Sequence, residues 1–73
     1  MSNHTAKVYA AGGKWHALVD GKVIGPEPTN ADLRQKVQAS ILARYPDPWD
    51  WFEVVVDFVP ALASEVIEAG LEL

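Results

Sequence analysis

The sequence predicts a small α+β domain with elements in the order β-β-β-α-β-α, and three observations carry that expectation. Two glycine turns, Gly12-Gly13 and Asp20-Gly21, each separate short apolar runs, as two-residue hairpins demand. Leu33, Val37 and Ile41 recur at helical spacing, and from Trp51 to Val59 the apolar period falls to two. Residues 1–73 are expected to form a single domain. It is an antiparallel meander plus a fourth strand, with both helices on one face and residues 1–5 as a flexible N-terminal tail.

The two turns set the register of the meander. They pair Ala10 with Trp15, Val8 with Ala17, Ala17 with Ile24 and Val19 with Lys22, and opposed residues share a face. One face then collects Val8, Ala10, Trp15, Ala17, Val19 and Ile24, the expected core. The other holds Lys7, Tyr9, Lys14, His16, Leu18 and Val23. Two independent turns agree on one apolar face, and a slip of one residue would scramble it.

Gly25-Pro26-Glu27-Pro28 reads as a loop, after which Thr29 is placed to N-cap a helix with Asp32 at N3. That helix runs about four turns, with Arg34, Gln35, Lys36 and Gln38 opposite its apolar stripe, and is expected to end near Tyr45. Pro46 to Pro48 reads as a second loop. In the fourth strand Phe52, Val54, Val56 and Phe58 point inward while Glu53, Val55 and Asp57 point out, and the strand is expected to pair with the first. Pro60 suits N1 of a second helix that turns Leu62, Ala63, Val66 and Ile67 inward. Gly70 fits its C′ position, with Leu71 folding back.

Composition narrows the functional classes. All six basic residues precede Pro46, so residues 1–46, with three acids, carry +3; residues 47–73 hold seven acids and no base and carry −7, which makes the net charge −4. There is no cysteine, hence neither a disulfide nor a thiolate metal site, which fits a reducing compartment; the expected location is cytoplasmic. No apolar run approaches the ~20 residues that span a bilayer, so neither a membrane segment nor a signal peptide is expected.

Candidates for chemistry are sparse. His4 falls in the expected tail and His16 on the outer sheet face, the serines stand in no nucleophile motif, and Asp47 and Asp50 lack the alternating oxygen ligands of a calcium loop. No enzyme, metal or cofactor is expected. Lys7, Tyr9, Lys14 and His16 make a small basic and aromatic surface of the kind that stacks single-stranded bases, but net −4 opposes polyanion binding.

The segment Tyr45-Pro46-Asp47-Pro48-Trp49-Asp50-Trp51-Phe52 carries more weight. It sets four aromatics in eight residues, stiffened by proline and wetted by aspartate, and rigid aromatics lose little entropy on binding. One tryptophan is expected to pack under the helix end and the other to be exposed. Asp47, Trp49, Asp50, Trp51, Glu53 and Asp57 are the expected partner-binding residues, facing a protein with a basic surface.

The order of three strands, a helix and a fourth strand resembles that of HicB-type antitoxins, with Lys14-Trp15-His16-Ala17-Leu18-Val19 standing where their second strand would be. Where that family opens its helix with Thr-x-x-Glu-Ala, this chain has Thr29-Asn30-Ala31-Asp32-Leu33, so no residue role is carried over. A compact, acidic, cysteine-free chain is also similar to small phage-encoded inhibitors such as anti-CRISPR proteins. The expectation is a non-enzymatic interaction module, an inhibitor or regulator of a larger protein. An antitoxin-like regulator, a self-assembling subunit and a weak single-strand binder stand as alternatives. A homodimer is the further expectation, since 73 residues bury little surface alone.

Overall fold

The computed structural model of the protein describes residues 2–70, and the expected fold-back of Leu71 lies outside them. The strands β1 (Ser2–Ala11), β2 (Lys14–Val19) and β3 (Lys22–Glu27) are followed by helix α1 (Asn30–Leu42), a 3₁₀ helix η1 (Pro48–Glu53), strand β4 (Val54–Pro60) and helix α2 (Ala63–Glu68). The α+β class and the element order are those the sequence predicts. One four-stranded sheet forms in the order β3-β2-β1-β4.

Both hairpins have the expected register, with Ala10 opposite Trp15, Val8 opposite Ala17, Ala17 opposite Ile24 and Val19 opposite Lys22. Gly12, Gly13, Asp20 and Gly21 all have positive φ, the geometry of turns whose twist matches that of the flanking strands. β3 does not stop before Gly25 as expected. A bulge between Trp15 and Ala17 lets it continue until Glu27 faces Trp15, and Lys36 of α1 holds the Glu27 carboxylate at 3.2 Å.

β4 pairs with β1, and the pairing is parallel, from Ser2 beside Val54 to Val8 beside Pro60. It corrects the expectation of a tail over residues 1–5: residues 2–5 are strand. Their polar sequence hid the pairing, because the ladder uses backbone groups, which every residue but proline supplies. His4 is held further by Tyr45, whose hydroxyl lies 3.1 Å from its Nε2.

α1 is built as its sequence predicts, except that it ends at Leu42, short of Tyr45. Thr29 Oγ1 accepts the Asp32 N–H at 3.1 Å, closing the N-terminus. Leu33, Val37 and Ile41 are fully buried against Ala6, Ala17 and Val19 on what we call the inner face of the sheet. Val8, Trp15, Ile24, Val54, Val56 and Phe58 pack around them, whereas Ala10 is exposed at the sheet end.

α2 lies against the opposite, outer face, where Val66 buries Tyr9 and Leu18. This differs from the expectation of both helices on one face. The reason lies in β1 and β2, the two central strands, which carry apolar residues on both faces: Tyr9 and Leu18 need a cover that α1 cannot provide. β4 runs on through Pro60, and the Ala61 N–H donates to the Val8 carbonyl at 3.0 Å. Pro60 is therefore the end of a strand and not N1 of the helix. Leu62 takes the N-cap position, its N–H donating to Glu65 Oε2 at 3.0 Å. Of the four residues expected to face inward, only Val66 is buried; Leu62 and Ile67 are 65% and 62% exposed. Gly70 stands just past the C-cap with φ +85°, as expected of C′.

Candidate functional site

η1 is the feature that departs most from ordinary surface. Asp47 caps it by accepting the Trp49 N–H on Oδ1 at 3.0 Å, and Pro48 opens the first turn. These two residues hold 48–53 in turns, so the alternation of β4 begins only at Val54. Phe52, which period-two counting puts in the core, is instead 82% exposed, and Glu53 belongs to η1 and not to the outer face of β4.

The two tryptophans divide. Trp51 is 44% exposed, and its indole N–H reaches the Tyr45 carbonyl at 3.4 Å, tying η1 to the turn that follows α1. Trp49 is 77% exposed, with its ring centroid 6.5 Å from that of Phe52. The result is a knob of three solvent-facing aromatics on a capped helix, rimmed by the exposed acids Asp47, Asp50 and Glu53. Asp57 sits apart on β4, beside Thr5. Five of the six predicted residues thus share one element, Asp47 as its cap, and Asp57 does not. Phe52 was the omission, concealed because helical and strand periods cannot be told apart over so short an apolar run.

Two clefts flank the sheet. On the inner side, beside the N-terminal half of α1, a cleft of about 300 Å³ is lined by Val8, Trp15, Phe58 and Pro60, with Arg34 at its edge. The Arg34 guanidinium lies 4.8 Å from the Phe58 ring centre, and its Nε–H donates to Asn30 Oδ1 at 2.8 Å. Among the described residues it pairs with no carboxylate. On the outer side, Lys7, Leu18, Asp20 and Glu65 line a second cleft of about 460 Å³ beneath α2. Lys7 pairs with Glu65, and this bond, followed by the Leu62 N–H, holds the Glu65 carboxyl below its usual range. Asp20 is likewise lowered, chiefly by the hydrogen bond from Arg44 at 2.8 Å.

The basic and aromatic surface of the outer face takes a different form from the one predicted. Tyr9 stacks on His16, with ring centroids 5.1 Å apart, but is itself buried under Val66. Burial pushes its phenol pKa up, and its hydroxyl has no hydrogen-bond partner among the described residues. Among the described residues no three His, Cys, Asp or Glu side chains cluster as a metal site requires, and no helix is long and apolar enough to cross a membrane. Compared with known proteins, the chain matches no family model, no curated protein and no solved structure.

Proposed function

We propose that this chain is a non-enzymatic protein-interaction module that inhibits or regulates a larger protein, using the η1 knob and its acidic surroundings against a basic surface. One observation carries the reading: Trp49, Trp51 and Phe52 stand in solvent on a helix whose cap and indole tether keep them in place. Large apolar side chains held rigid and exposed are what hot spots are made of, since little rotamer entropy is lost when they are buried by a partner. The flanking Asp47, Asp50 and Glu53, with Asp57 farther along β4, supply long-range attraction to a cationic partner.

The single-strand reading is weaker on the same ground. Its stacking platform needs a free aromatic, but Tyr9 is covered by α2 and Lys7 is engaged by Glu65. Crosslinking capture of the partner, followed by binding kinetics on the purified pair, tests the proposal. Glu53→Lys with Asp57→Lys should slow association and flatten its salt dependence, while Trp49→Ala should mainly speed dissociation. Loss of binding only in Lys7→Glu and Lys14→Glu, with the knob variants unaffected, would overturn it.

A further inference from the structure

The two edges of the sheet are not equivalent. β3 is closed to pairing by the bulge opposite Trp15 and Ala17 and by Pro26 within the strand. β4 is open. Because the Ala61 N–H bonds Val8 across the parallel ladder, residues of the same parity, Val55, Asp57 and Val59, turn their backbone groups toward β1. Val54, Val56, Phe58 and Pro60 turn theirs outward. Of these, Val54 has its N–H engaged by the Trp51 carbonyl and Pro60 has none. The free edge therefore offers the N–H and C=O of Val56 and Phe58 and the C=O of Val54 and Pro60.

The side chains there are also short of cover. Val55 and Val59 are exposed on the outer face, and Val54, Val56 and Phe58 are only half-buried on the inner face. The exposed aromatic knob immediately precedes β4, and the apolar cleft with Arg34 lies at its far end, by Pro60. An antiparallel two-fold brings the start of one β4 to the end of the other, so a single operation sets each knob against the cleft of the other copy.

We infer that two copies of this chain pair antiparallel through β4 into one eight-stranded sheet, each lodging Phe52 by the second copy's cleft with the acids of η1 facing its Arg34. Two-fold symmetry and edge parity allow an axis at any β4 residue, and those at Val56, Asp57 and Phe58 keep the most edge bonds. An axis at Asp57 sets two carboxylates directly opposite one another, which opposes pairing. An axis at Phe58 forms as many edge bonds but sets Phe52 across from Ser64, past the end of β4 and away from the cleft. The axis at Val56 avoids both. It joins Val56 to its own copy by two reciprocal N–H to C=O bonds, joins each Phe58 N–H to a Val54 C=O, and sets Asp57 beside Val55. It also sets Phe52 across from Pro60 and Glu53 across from Val59, at the cleft.

The fit is of charge as well as shape: the knob is acidic and the cleft carries Arg34, which pairs with no carboxylate among the described residues. The inference goes beyond the proposed function and shares Phe52 and Glu53 with it, but Trp49→Ala should weaken only heterologous binding and Arg34→Glu only the dimer, so the two fail separately.

Sedimentation equilibrium of the full chain tests it. The mass should rise from 8.0 kDa to twice that value with concentration in the micromolar range. Val56→Pro removes an edge N–H that only the dimer uses, in a strand position where proline is tolerated, and should leave a folded monomer. Arg34→Glu and Glu53→Arg should each weaken association by about tenfold, and the chain bearing both changes should regain it. That charge swap decides the matter even if the proline variant does not fold. A strict monomer at millimolar concentration would overturn the inference, as would a dimer indifferent to Val56→Pro or to both charge reversals. Trp49→Ala should leave the mass unchanged.

Discussion

At Gly25 the chain passes under β2 with φ +120°, and a Cβ there would lie 2.9 Å from the Trp15 carbonyl oxygen and 3.3 Å from the His16 Cα. Both neighbours are backbone, so neither can swing aside. Gly13 has φ +75° but nothing within 4 Å of its would-be Cβ. The two positions therefore separate steric crowding from conformational strain alone. Gly13→Ala should cost about 1 kcal/mol, the usual penalty for a left-handed residue with a side chain. Gly25→Ala should cost clearly more, since the bulged end of β3 must also shift. Urea unfolding of the two variants measures the difference, and equal midpoints would mean that β3 yields freely.

Among the elements, α2 is the least secured. It is six residues long, shorter than any helix that is stable alone, and it is held by Val66 and by the Lys7–Glu65 pair. Glu65 has its pKa lowered in the folded state, so its contribution is present above the ordinary glutamate value of about 4.3 and is lost as pH falls through that value toward the folded one. Asp20, lowered by Arg44, acts in the same direction for the β2–β3 turn. Amide exchange of α2 should therefore quicken on acidification before that of the sheet. Glu65→Gln should show the quickened exchange at neutral pH, and unchanged α2 protection in that variant would mean that Val66 alone holds the helix.

The same reasoning applies to η1, where exposure separates three tryptophans by environment. Acrylamide should quench the emission of Trp49 most and that of half-buried Trp15 least. Trp49→Phe should remove the largest quenchable component. If it does not, the knob is folded away in solution, and the proposed function loses its main support.

Over the whole molecule, a radius of gyration of 12.6 Å exceeds the roughly 11 Å expected of a chain this long. The excess reflects a slab one sheet thick, with a full helix on one face and a short one on the other. Its two apolar clusters are unequal: the inner one joins α1 to all four strands, while the outer one rests on Tyr9, Leu18 and Val66. An unpaired charge buried in each should consequently act differently. Leu33→Asp should abolish the cooperative transition, because a domain of this length has only on the order of 4–11 kcal/mol to lose. Val66→Asp should release α2 and lower the midpoint while leaving the sheet folded. Circular dichroism with thermal unfolding distinguishes the two outcomes.

By itself the sequence determined what local chemistry can determine. Glycine turns set both hairpin registers, Thr29 and the Leu33, Val37, Ile41 stripe built α1, and the alternation of Val54, Val56 and Phe58 chose the inner side of β4. For the candidate site, the density of aromatics and acids from Asp47 to Glu53 was legible in the same way. Each of these rests on neighbours within a few residues along the chain. Only the tertiary structure decided what covers a surface once its side is chosen. It paired Ser2–Thr5 with β4, sent α2 to Tyr9 and Leu18, and left Phe52, Leu62 and Ile67 in water. Periodicity states which residues point the same way, but burial depends on whether another element arrives there, and that is settled by pairings between segments far apart in sequence.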